Sequence, residues 1–155
     1  MSEQSLRRHL VNLLSEANAH IDFDDVVTDF PETQRGVQLD GYPHTPWQLL
    51  EHMRIAQWDI LEFTRNADHE SPKFPDGYWP NSAAPPSKKA WSESVRRFQK
   101  DLQEMIGLIE DESNDLYAEI PHGDGQTLVR EALVLAKHNS YHIGQLALIK
   151  KAMAE

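Results

Sequence analysis

Lys137-His138-Asn139-Ser140-Tyr141-His142 places two imidazoles four residues apart in a segment with helical periodicity. On a helix such residues are neighbours on one face, about 6 Å apart at Cβ. Their ring nitrogens can therefore converge on one metal ion at about 2.0–2.1 Å. Leu135 and Leu146 flank the pair on the same stripe, so it is expected to face inward. A third imidazole strengthens the pattern. His52 interrupts the apolar stripe of an upstream segment, between Leu49 and Ala56, where a polar ring needs a partner. Packed against the downstream helix, His52 would complete a three-nitrogen site without a protein thiolate or carboxylate. Such a site leaves positions for water or substrate, which suits catalysis better than structure. Zinc, nickel and ferrous iron are all compatible. The same spacing also fits ordinary core histidines hydrogen-bonded to neighbours. There is no His-Glu-x-x-His run.

Four amphipathic segments must position these rings, and almost nothing reads as strand. The first runs from about Ser5 to His20, with Leu6, Leu10, Leu13, Leu14 and Ala17 on its stripe. The second starts cleanly. Thr45 is an N-cap, Pro46 suits the first helical position, and Gln48 stands at the capping-box position. Its pattern fades near Asn66. The third follows Ala84-Pro85-Pro86-Ser87, with Ser87 the expected cap. Its Trp91, Val95, Phe98, Leu102, Met105 and Ile109 repeat as the seam of a bundle helix. The fourth runs from about Thr127 to Ala152.

Two connections are long. Residues 21–44 carry Phe23, Val26, Val27 and Phe30, so that segment is expected to pack and to include a short helix. Residues 67–86 hold five of the nine prolines and the run Phe74-Pro75-Asp76-Gly77-Tyr78-Trp79-Pro80. A connection of that length lets the second and third helices run parallel, as a crossover. The expected fold is an all-α four-helix bundle with that crossover, a single domain over residues 1–155.

Composition narrows the functions. The 155 residues include 25 acidic and 15 basic side chains and no cysteine. A net charge of −10 repels phosphate backbones and anionic lipid, so neither nucleic acid nor membrane is expected as a partner. Without cysteine there is no disulfide framework, Fe–S cluster or protein thiol nucleophile. The N-terminus lacks the apolar run of a signal peptide, and a soluble cytoplasmic protein is expected.

The stretch TPWQLLEHMRIAQWDI (Thr45 to Ile60), followed far downstream by HNSYHIGQ (His138 to Gln145), resembles the DinB-like superfamily. That resemblance covers almost the whole chain. It implies a four-helix bundle holding one divalent metal through three histidines, one in the second helix and two spaced by four in the last. His52, His138 and His142 take those positions. Characterised relatives include transferases and isomerases that use low-molecular-weight thiols, and other members are described as hydrolases. The resemblance therefore implies a small-molecule substrate, a thiol-dependent transferase or a hydrolase, and often a homodimer. The alternative is a non-catalytic ligand-binding or dimerising scaffold whose site is vestigial or holds no metal.

Further residues are candidates beside these. Asp59, one heptad beyond His52, would hold a ligand imidazole or act as general base; the plainer reading is the polar edge of the stripe. Glu51 is expected on a solvated face, and Tyr141 off the ligand face. His44 and His122 stand at helix boundaries where either would meet substrate if the site lay at that end. His9, His20 and His69 have no partner at useful spacing. Of the four tryptophans, Trp79 is placed to roof the cleft and Trp58 to contact a neighbouring segment or a second subunit. Glu110-Asp111-Glu112 is expected to be solvated.

Overall fold

A computed structural model describes residues 2–154. Its regular structure consists of five α-helices, α1 (Glu3–Ser15), α2 (Phe23–Val27), α3 (Pro46–Arg65), α4 (Ala90–Glu110) and α5 (Leu128–Met153), and two single 3-10 turns at Glu32–Gln34 and Asp76–Tyr78. Among the described residues there is no strand, only an isolated antiparallel bridge between Glu119 and Thr127. The all-α class expected from the sequence is the one adopted. No described helix is long and apolar enough to cross a membrane.

Local chemistry explains most boundaries. At α3, the Thr45 hydroxyl accepts from the Gln48 N–H while the Gln48 side chain accepts from the Thr45 N–H, which closes the capping box. The same hydroxyl donates to Ala83 C=O at 2.5 Å, tying the end of the crossover to the start of α3. Thr127 caps α5 through the Arg130 N–H, and Lys150 and Lys151 complement the dipole in its last turn. Two expected boundaries need correction. Helix α1 ends at Ser15 rather than His20: Glu16 is extended, its N–H makes the last helical bond to Asn12 C=O, and the main chain and side chain of Asn18 both take the Glu16 carbonyl that a further turn would use. Helix α4 begins at Ala90, and Ser87 is not its cap. Ser87 C=O instead accepts from the Ala90 N–H in a preceding turn, and Lys89 at the boundary makes no side-chain capping bond.

Side-chain bonds between helices give their directions. Ser94 donates to Glu51 at 2.6 Å, Gln57 donates to Phe98 C=O at 2.7 Å, and Arg65 donates to Glu104 at 2.6 Å. Residue numbers rise together along α3 and α4, so these helices run parallel and the crossover is real. Against α5 they run in opposite senses: His52 meets His142 and His138, and Gln57 meets Asn139. Helix α1 lies on α4 and α5. Its Arg7 reaches Ile109 C=O at the far end of α4.

Two apolar clusters fill the interior. One gathers Phe23, Val26, Phe30, Trp47, Leu50, Met53, Trp91, Phe98 and Leu146; the other gathers Leu10, Leu61, Met105, Ile109, Leu116, Leu128 and Leu135. Each fully buried side chain of this kind contributes roughly 1.5–3 kcal/mol relative to exposure. The short helix α2 belongs to the first cluster, as the apolar residues of 21–44 suggested.

Candidate metal centre

Helix α3 delivers His52 and helix α5 delivers His138 and His142 to one place. One ring nitrogen from each lies within 4.8 Å of the other two, an arrangement able to hold a metal ion. The Nε2 atoms of His52 and His138 are 3.1 Å apart. Two nitrogens bound to one ion at about 2.0–2.1 Å, at roughly a right angle, have that separation.

The outer nitrogens decide which atoms are free to bind. His52 Nδ1 lies 2.9 Å from Tyr78 C=O, and since a carbonyl only accepts, Nδ1 carries the hydrogen and Nε2 the lone pair. His142 Nδ1 lies 2.7 Å from Gln145 Oε1, which fixes the same tautomer. His138 Nδ1 is buried with no hydrogen-bond partner. Two of the three rings thus turn a lone pair inward, with the outer partners that metal-ligating histidines have.

Protonation is suppressed as well. Burial pushes His138 down to about 4, with His142 and His52 adding charge repulsion. His142 is pushed down to about 4, again by burial first, against the opposing hydrogen bond that its Nδ1–H donates to Gln145. His52 is lowered by burial despite the Tyr78 carbonyl. Neutral imidazole is the ligating form, so the cluster is ready to bind near neutral pH.

The crossover covers the site. Trp79 stacks on His52 with ring centroids 3.9 Å apart and planes 3° from parallel, and its other neighbour is His44 at 4.1 Å. Trp79 is therefore the roof anticipated for it. His44 stands beside the site, whereas His122 packs on Phe63 and reaches Phe63 C=O at 2.5 Å, at the opposite end of α3. Tyr141 is exposed yet meets His142 edge-on at 4.9 Å.

Asp59 is nearly buried, and its oxygens take the Nε2 of His69 and the hydroxyl of Tyr78, both at 2.7 Å. It makes no hydrogen bond to the three clustered imidazoles among the described contacts. His69, expected to have no partner, thus has one; sequence spacing hid it because the crossover folds back onto α3. Glu51 is not on a solvated face: it is half-buried against α4, bonded to Arg54 and Ser94. His20 likewise finds Ser140 at 2.6 Å. Trp58 is 36% exposed and meets His69 edge-on, while Trp47 and Trp91 are buried. Sequence reasoning missed Tyr78 and Gln145. Gln145 had a usable signal, three residues after His142 on a helix; Tyr78 acts through its main chain, which residue type does not reveal.

A family model described as the DinB superfamily matches residues 17–146. No curated protein and no solved structure matches the chain.

Proposed function

The chain belongs to the DinB superfamily, and on that premise we propose that it is a metal-dependent enzyme acting on a small electrophilic substrate, as a transferase using a small-molecule thiol or as a hydrolase. The observation that carries this reading is the convergence of three neutral imidazoles, two of them held with Nε2 lone pairs inward. His52, His138 and His142 hold the ion, with zinc, nickel and ferrous iron all suited to an all-imidazole set. Bound there, a divalent ion supplies Lewis acidity that lowers the pKa of water or of a thiol. With no cysteine in the chain, any thiol comes from a small molecule.

The protein's own groups set the rest. Trp79 covers the His52 face and limits water there, and Tyr78 and Gln145 hold the ring tautomers. One turn beyond His142 is a cavity of about 130 Å³, lined by Tyr42, His44, Leu49, Gln145 and Leu148. Its walls are mainly apolar, which suits a small apolar portion of a substrate. Asp59, considered as a general base, would act only through a substrate or water reaching it past Tyr78.

The test is metal content of protein purified without a histidine tag. About one ion per chain, lost in His52→Ala with the fold retained, is the expected result. A folded, fully metal-free parent that takes up no zinc, nickel or ferrous iron on titration would leave only the scaffold reading.

A further inference from the structure

We propose that Asp59 is a positioning residue that acts on His52 at a distance, by anchoring the crossover segment that supplies both the Tyr78 carbonyl and the Trp79 ring. The metal-affinity consequence rests on the reading above; the tautomer consequence does not.

The geometry is continuous from one group to the next. Asp59 Oδ1 accepts from His69 near the start of the segment, and Oδ2 accepts from the Tyr78 hydroxyl near its end. One carboxylate therefore pins both ends of residues 69–78 against α3. Between the anchors the chain closes tightly on itself. A Cβ on Gly77 would lie 2.9 Å from the Pro72 Cβ, so no side chain fits there. Tyr78 then turns its carbonyl to His52 Nδ1 at 2.9 Å, and the next residue lays its indole over the same imidazole. Both anchors are well shielded, with side chains 6% exposed for His69 and 12% for Asp59. The Tyr78 hydroxyl is the donor and the carboxylate the acceptor in this bond.

The physical consequence concerns precision. A ring held on one side by a carbonyl and on its face by an indole cannot rotate or change tautomer without moving the loop. Releasing the phenol leaves the carbonyl in the chain but no longer fixed. Loss of an outer partner of a ligating histidine typically weakens metal binding 10–100-fold.

Tyr78→Phe is the cleanest probe, because it removes one hydroxyl and keeps ring and main chain. Asp59→Asn is the second. The tautomer of His52 is read by long-range proton–nitrogen correlation spectra of the imidazoles in the metal-free chain at pH 7.5. Zinc affinity is read by competition with a chromophoric chelator. The parent is expected to show His52 as Nδ1–H only, with Nε2–H appearing in both variants. Zinc affinity is expected to fall about tenfold in each, and no further in the double variant, since both act along one path. Circular dichroism separates this from unfolding. If Asp59→Asn does not fold, Tyr78→Phe decides alone. An unchanged His52 tautomer in folded Tyr78→Phe overturns the proposal, and so do zinc losses that simply add in the double variant. A parent that binds no zinc, with the tautomer change still present in the variants, refutes the metal reading and leaves the positioning role standing.

Discussion

The α4–α5 connection and the crossover between α3 and α4 are each held by one charged side chain buried against them. Arg7 on α1 clamps the exit of α4: its guanidinium donates to the carbonyls of Ile109 at 2.6 Å, Asp111 at 3.1 Å and Asn114 at 2.6 Å, and pairs with Glu3. Asp59 on α3 clamps the crossover through His69 and Tyr78. The difference lies in where each clamp ends. Arg7 satisfies orphan carbonyls at a helix terminus that has no basic residue of its own and continues into Asp111 and Glu112. Its bonds end on main-chain carbonyls and on Glu3. Those of Asp59 continue through Tyr78 to an imidazole of the candidate site. The same device, a buried charge holding a loop, stabilises the fold at one end and shapes chemistry at the other.

Breaking the Arg7 clamp should give the largest stability effect. Arg7→Met leaves three carbonyls without that donor and should cost about 3 kcal/mol in urea unfolding, with zinc affinity unchanged. If zinc affinity fell as well, the two clamps would not be separable. Tyr78→Phe should show the mirror image, the tenfold loss of zinc affinity described above, about 1.4 kcal/mol, with a smaller change in stability than Arg7→Met.

Acid should probe the site end selectively. His138 and His142 sit near 4 in the folded chain against an ordinary 6.5. Between those values the unfolded chain binds protons that the folded chain refuses, so stability falls as pH drops from about 6.5 to about 4 and levels off below that. Above 6.5 these two groups contribute no pH dependence. Denaturation of metal-free protein across pH 4–7 measures the slope, and replacing both histidines with glutamine should lessen it, the remainder coming from His52 and His44, which burial also lowers. The smallest effect should come from the surface. Arg65 pairs with Glu62 and Glu104 while 37% exposed, and Arg65→Ala should cost under about 1 kcal/mol, less at high salt.

How much of this could be read in the sequence follows from the range of the interactions. Helix α3 was fully legible because its cap, Pro46 and Gln48 all lie within one turn. The His138–His142 pair was legible because four-residue spacing fixes a shared helix face. The parallel run of α3 and α4 was suggested by connection length. Other features depend on contacts between distant residues. Nothing in local pattern tells that Asn18 ends α1 early, that Glu51 faces α4, or that residues 69–78 fold back so that His69 meets Asp59. Pairing a residue's main-chain carbonyl with a ring on another element, as Tyr78 does with His52, leaves no mark on residue type at all.

Anomalous scattering from crystals of zinc-loaded protein, with data on both sides of the absorption edge, would reveal whether three rings from two helices share one ion. One peak bonded to His52, His138 and His142 is the expected result, with Tyr78 C=O still on His52 Nδ1. A map with no peak among those rings, or with the ion held by other side chains, would contradict it.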